Sequence, residues 1–350
     1  MKTRIPALIF LLITIASNTL IAGELEERKA IQERTAFLLS SKNFGELERL
    51  AQEYRVNRSR TPSGVWKLTC FYTGIRSYFA NFNSKDDWSS IKSTIEEWIK
   101  EYPKSPTPYI SHAILMREYA WKFRGGGLAR TVPEEAWQPF FEHLNIAKAV
   151  LEKNKEIAST DPHWYDIMAN IAIGLSLKKS EFLTIVNEGL EKEPLYIELY
   201  CTATFYFTPK WHGNAEEIEE FANFAVARTK ENEGLGMYAR VYWAAKQYQY
   251  GERLFIESNV VWGKMKKGID DVLKRYPDQW NINNFTLFAC LAKDRDKARE
   301  LFQLVNEPPF LAVWKSNSNY LGYKSWAYAE SGTDLPQGQM SPVNKYFEKN

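Results

Sequence analysis

Between Leu25 and about Val305, apolar side chains recur at spacings of three and four, and short breaks rich in glycine and proline separate the runs. That rhythm matches a 3.6-residue helical turn with one buried face and leaves little room for strands, whose side chains alternate. In WSSIKSTIEEWIKEYP the stripe is Trp88, Ile91, Ile95, Trp98 and Ile99. The segments AWQPFFEHLNIAKAVLEKNKEI, EEIEEFANFAVARTK and DKARELFQLV follow the same pattern. YCTATFYF could be read as a strand, but helical neighbours and the helix-initiating Pro194 ahead of it favour a buried helix. The breaks KNFG, KSPTP, GGG, KEPL, KWHGN, EGLG and YPDQ leave about a dozen helices joined by short links. The expected fold is all-α, a helical-hairpin array.

Helix starts carry their usual chemistry. Thr131 with Glu134, and Asn214 with Glu217, have capping-box spacing, and Asp161 before Pro162 reads as an N-cap with proline in the first turn. IEEWIKEYP (Ile95–Pro103), VNEGLEKEP (Val186–Pro194) and IDDVLKRYP (Ile269–Pro277) share a template: a β-branched start, an apolar residue four positions on, and proline after eight. In helical repeats the second helix of a hairpin often ends this way. The unequal intervals make the array a degenerate tetratricopeptide-like α-solenoid. Residues 23–101 read as an N-terminal helical region and 102–305 as the repeat domain. Residues 306–350 lose periodicity and read as an irregular tail, packed on the last helices through Phe310, Trp314 and Trp326.

Met1–Ala22 has the parts of a secretory signal: Lys2 and Arg4, an apolar run from Ile5 to Ile15, then small and polar residues. The run is shorter than the roughly 20 apolar residues that span a bilayer. A cut near Ala22 predicts a periplasmic or secreted protein with no transmembrane segment left. The 45 basic and 43 acidic residues of the chain differ only through Lys2 and Arg4, so the remainder is neutral. A neutral, mixed surface offers no global field to a polyanion, which argues against a nucleic-acid partner. Cys70, Cys201 and Cys290 sit among apolar neighbours as buried small hydrophobes, with one disulfide at most.

The sequence holds no GxxxxGK[ST], HExxH, GxSxG or EF-hand pattern, and it calls for no cofactor and no metal. Ser89–Lys92 and Ser176–Lys179 match SxxK without the companion KTG. His112, His143, His163 and His212 show no ligand spacing, and local capping accounts for His163 beside Asp166. The acids Glu134, Glu135, Glu216, Glu217, Glu219 and Glu220 suit first turns of helices, where the macrodipole favours them. Two loops stand out. In YAWKFRGGGLARTVPEEAW, Gly125, Gly126 and Gly127 lie between Trp121, Arg124 and Arg130, and serve either a tight turn or the backbone cradle of a carboxylate or phosphate. In TPKWHGN, Trp211 and His212 are either contact residues or a plug folded onto the body. The chain has 12 Trp, 19 Tyr and 20 Phe, mostly at interhelical spacing, with a minority free to stack on sugars or peptide side chains.

The blocks YAWKFRGGGLARTVPEEAWQPFFEHLNIAKAVLE, HWYDIMANIAIG, PLYIELYCTATFYFTPKWHGN and MYARVYW, followed by WNINNFTLFACLAKDRDKARELF, occur in an order that resembles the bacterial domain of unknown function (DUF) 4034 family. The resemblance covers about Tyr102 to Ala292 and departs from the family pattern at Lys210 and His212. It implies an α-helical, tetratricopeptide-like bacterial domain, and no activity or catalytic residue. The sequence as a whole reads as an exported, non-catalytic scaffold for a protein or peptide partner of the cell envelope. Its candidate contact residues are Trp121, Arg124, Gly125, Gly126, Gly127, Arg130, Trp211 and His212. The alternatives are a glycan or peptidoglycan binder using exposed aromatics, and a hydrolase or transferase with a site where the RGGG and KWHG loops meet. The oligomeric state is left open.

Overall fold

The computed structural model describes residues 23–211, 213–329 and Leu335; the segment 1–22, read as a secretory signal, lies outside them, as does His212. The helices are α1 (Glu24–Ser40), α2 (Phe44–Val56), α3 (Lys67–Ala80), α4 (Lys85–Glu101), α5 (Pro106–Arg124) and α6 (Trp137–Lys153). After the single turn α7 (Lys155–Ala158) come α8 (His163–Gly174), α9 (Lys179–Lys192), α10 (Ile197–Tyr206), α11 (Ala215–Glu233) and α12 (Gly236–Ala245). A second single turn, α13 (Leu254–Glu257), leads to α14 (Trp262–Arg275), α15 (Gln279–Leu291), α16 (Arg295–Phe302), α17 (Leu311–Trp314) and α18 (Asn317–Tyr328). Among the described residues there is no strand, only an isolated bridge between Arg60 and Trp66. The chain is an all-α helical array.

Burial sorts the helices into two layers. In α4 the buried residues are Trp88, Ile91, Ile95 and Trp98, the stripe that periodicity marks out. Helices α6, α9 and α14 likewise bury one face, whereas α8 buries every residue except Asn170. Inner helices touch in succession, α3 with α5, α5 with α8, α8 with α10 and α10 with α12. Trp243 of α12 then packs edge-on against Phe285 of α15, with ring centroids 5.2 Å apart. Helix α15 also touches α1, so the array curls until its last inner helix meets its first helix.

The sequence echo marks equivalent junctions. Each repeat of the template ends an outer helix, α4, α9 or α14, and leads through proline into an inner one. The residues that follow the three helices share one backbone conformation: Tyr102 (φ −123°, ψ 59°), Glu193 (φ −139°, ψ 78°) and Tyr276 (φ −132°, ψ 67°). All three directly precede proline, which disfavours the helical region for the residue before it. In the first two junctions a tyrosine six residues on ties the turn down, Tyr109 donating to the Pro103 carbonyl and Tyr200 to that of Pro194, each at 2.9 Å.

A buried polar knot joins the layers. Asp161 caps α8 by accepting from the His163 amide at 2.8 Å. Its other oxygen accepts from Tyr72 Oη at 2.8 Å and forms an ion pair with Arg55, Nε at 2.8 Å and Nη2 at 2.7 Å. The His163 ring stacks on Tyr72 at 4.2 Å, and its Nδ1 lies 2.8 Å from Tyr196 Oη. Burial keeps His163 neutral, lowering its pKa against the pull of Asp166 and Asp161. Capping alone therefore does not account for His163.

Two local expectations need correction. Asn214 does cap α11, accepting from the Glu217 amide at 3.0 Å, but Thr131 caps nothing. Its hydroxyl donates back to the Leu128 carbonyl at 2.8 Å inside a 3-10 turn, and α6 begins only at Trp137. Pro133 holds Val132 extended (ψ 126°), which stops a helix from starting at Thr131. The segment read as an irregular tail contains the twelve-residue helix α18. Trp314 and Trp326 are buried there, and Phe310 sits edge-on to Trp280 at 6.2 Å.

Candidate functional site

Where the array closes on itself, helices α1, α3, α10, α12 and α15 do not fill the space between them. A half-open cavity of about 300 Å³ remains, within the size range of small-ligand sites. Its wall carries Trp66, Trp243, Trp280 and Tyr248, the polar residues Ser63, Thr69, Gln247 and Asn281, and the charged residues Arg28, Glu198 and Arg240. Helix α12 is followed by a π-helical turn, Lys246–Tyr250, which brings Gln247 and Tyr248 to the wall. Such widened turns recur at functional sites.

The turn at 61–66 forms one side. Glu24, fully buried, accepts from Thr61 Oγ1 (2.8 Å), the Ser63 amide (2.7 Å) and Ser63 Oγ (2.7 Å), and forms an ion pair with Arg28. Arg28 also reaches Ser63 Oγ at 3.0 Å and lies 6.0 Å from the centre of the Trp280 ring. Gly64 has φ +93°, and a Cβ there would stand 2.6 Å from Arg240 Nη2 and 2.9 Å from the Tyr276 ring, so the close approach requires glycine. The Ser63 carbonyl accepts from Arg240 Nη2 at 2.9 Å and from Asn281 Nδ2 at 3.1 Å, which binds the turn to α12 and α15.

The electrostatics are uneven. Arg28 has its counter-charge in Glu24. Arg240 is only 7% exposed, stacks on Tyr276 at 5.4 Å, and forms no ion pair among the described residues. Burial lowers its pKa, and the attraction of Glu233 does not offset that. Its Nε and the Asn281 Oδ1 are buried without a hydrogen-bond partner among the described residues. Glu198 is raised to about 7 by burial and by Asp166, with Arg76 and Arg28 pulling the other way. Burial pushes up the Cys201 thiol and the Tyr248 phenol, so both are protonated at neutral pH.

Of the residues named in the sequence, Cys201 lines this cavity, half-buried rather than fully buried; none of the described candidate contact residues does. Arg124 folds back over the Trp121 and Trp137 rings at 5.0 and 5.3 Å and donates to the Gly125 and Gly127 carbonyls at 3.0 Å each. Gly125 takes φ +69°, as a turn requires, and Gly125, Gly126, Gly127 and Arg130 are exposed. Trp121 packs edge-on to Phe140 at 5.2 Å, and Trp211 packs edge-on to Phe205 at 5.3 Å. The two loops lie near enough for the Arg124 charge to add to burial in lowering the Lys210 pKa.

Several of the other sequence candidates have structural partners, whereas His112 Nε2 is buried without one among the described residues. Glu219 accepts from Tyr238, Tyr242 and Lys264 at 2.6, 2.7 and 2.9 Å, while Ser89 donates to the Lys85 carbonyl at 3.0 Å. His143 Nδ1 lies 2.7 Å from the Pro139 carbonyl. The missed signal was polarity in the wrong place: Glu198, Arg240 and Asn281 stand on helices that are largely buried.

No protein-family model matches the chain, and no curated protein or solved structure does so significantly. The functional reading therefore rests on the cavity itself.

Proposed function

We propose that the chain is a non-catalytic binding protein that takes a peptide, or an extended segment of a protein partner in the cell envelope, into the cavity between α1, α3, α10, α12 and α15. The observation that carries this reading is a half-open space of about 300 Å³ whose wall combines four aromatic rings with charged and amide groups. Aromatic walls supply contact area, and a few fixed polar groups set orientation, which is how small binding sites are built. A non-catalytic role is supported by the state of the reactive groups. Cys201 is held as the thiol, and among the described residues Glu198 is the one carboxylate on the wall, where acid–base hydrolysis calls for two groups. The envelope assignment rests on the signal-like residues 1–22.

The same rings favour a second reading, a glycan stacked on Trp243 or Trp280. A photo-crosslinking residue at Gln247, used in envelope extracts, separates the two. A peptide adduct that disappears when Ala244→Trp fills the cavity supports the proposal. A sugar adduct moves it to the second reading, and no cavity-dependent adduct refutes both.

A further inference from the structure

Arg240 is a buried cation with no ion-pair partner among the described residues; the buried Glu233 carboxylate attracts it without forming an ion pair. A guanidinium taken out of water needs a counter-charge or a full set of acceptors, because burial disfavours its charged form. Here the protein supplies one acceptor, the Ser63 carbonyl, and one ring face, Tyr276. Nη1 has no partner among the described residues, and Nε is both unpartnered and sealed from solvent. Arg28, across the same turn, adds a second guanidinium, although Glu24 already balances its charge.

The rest of the wall points the same way. The indole N–H groups of Trp243 and Trp280 hold no acceptor among the described residues and outnumber the one orphaned acceptor of the wall there, Asn281 Oδ1. Glu198, the one acid on the wall among the described residues, has its negative form disfavoured by burial and by Asp166. A donor-rich space with an unbalanced cation suits a ligand that brings acceptors and a negative charge, while the rings suit an apolar body attached to it.

We propose that the cavity binds a carboxylate and that Arg240 supplies its counter-charge. This deepens, and rests on, the reading of the cavity as the binding site. Two sources share the chemistry: the free C-terminus of a peptide and the acid group of a uronic sugar. A carboxylate near Arg240 gains a charge-assisted partner at Nη1, and its attached chain lies against Trp243 and Trp280.

The test measures binding by tryptophan fluorescence and by calorimetry at pH 6, using the full chain. The probes are acetyl-Ala-Leu with a free carboxylate, the same dipeptide as its carboxamide, glucuronate and glucose. The expected result is saturable binding of an acid, at least tenfold tighter than its neutral counterpart, with Arg240→Gln abolishing that preference. If the dipeptide acid carries the preference, the source is a peptide end; if glucuronate does, the carboxylate proposal stands and the peptide reading falls. Equal binding of acid and neutral counterpart in both pairs overturns the carboxylate proposal, and the peptide reading then stands if the dipeptides bind. Binding of no probe overturns the proposal, as does a preference that survives in Arg240→Gln. Should that variant fold poorly, Gln247→Glu adds a negative charge to the wall without touching Ser63. It is expected to weaken the acids several-fold more than the neutral probes; an equal effect on both overturns the proposal.

Discussion

Replacing Asp161 by asparagine keeps the side chain's shape and removes its charge. The carboxylate is fully buried and satisfies four donors: the His163 amide, Tyr72 Oη, and Arg55 Nε and Nη2. Asparagine has one acceptor oxygen, so either the Arg55–Tyr72 side or the α8 cap faces an NH2 group. Arg55 then stays largely buried without its counter-ion. Breaking a buried pair from one side costs about 3–5 kcal/mol. Tyr72→Phe removes a single bond to a charged acceptor, about 1.5–3 kcal/mol. With a urea slope of about 3 kcal/mol/M, at the upper end of the range for small proteins, Asp161→Asn should lower the unfolding midpoint by about 1–1.7 M. Circular dichroism and tryptophan fluorescence, followed together, check the shift and the cooperativity. The reasoning also requires non-additivity: Arg55→Met with Asp161→Leu should cost less than the two single changes summed, because no lone charge remains. A midpoint change under about 0.3 M for Asp161→Asn, or full additivity in the double variant, refutes the account.

Glu198 gives a signed pH effect. Its folded pKa is raised from 4.5 to about 7, chiefly by burial, so the stability associated with its neutral form is present below pH 4.5 and lost as the pH rises through 7. Glu198→Gln should therefore match the parent in melting temperature at pH 4 and exceed it at pH 8; a constant difference would contradict the assignment. Two glycines should respond with opposite sign to alanine. At Gly74 a Cβ would stand 2.6 Å from the Gln32 backbone oxygen, so Gly74→Ala should destabilise the α1–α3 contact by about 1–3 kcal/mol, whereas open space surrounds Gly263 in α14 and the same change there should stabilise by about 0.5 kcal/mol. Thermal or urea unfolding reads both signs. The three cysteines are free; Cys70 and Cys290 are buried, with burial pushing Cys70 up to about 12, while Cys201 is half-buried on the cavity wall, so an aromatic disulfide reagent should titrate at most one thiol before unfolding and three after it, and reductant should leave the melting temperature unchanged.

Much of the array was legible because helices announce themselves locally. The Trp88–Trp98 stripe, the Asn214 cap and the three proline junctions each lie within a few residues of sequence, and each has its expected place. Thr131 misled because capping-box spacing says nothing of the proline between its two ends. The tail misled because α18 buries Tyr320, Tyr323 and Trp326 while its polar, serine- and asparagine-rich remainder hides the stripe. The cavity was not legible at all. Its defining contacts, Ser63 with Arg240 and Ser63 with Asn281, join residues 177 and 218 positions apart, and no spacing rule reaches so far. What the sequence did carry was an arginine in MYARVYW and an asparagine in WNINNF, polar residues on helices with no wet face.

An open solenoid behaves as a line of neighbours: each unit is coupled to two others, the end units to one, and unravelling starts cheaply from the ends. The contact of α1 with α15, riveted by the Ser63 carbonyl, turns that line into a loop with one extra coupling. Helix α1 then frays only if the rivet breaks as well, so its amides should exchange with those of α12 and α15 rather than ahead of them. The cooperativity of the whole chain thus passes through the turn at 61–66, and a ligand seated beside that turn would act as a clasp on the entire array.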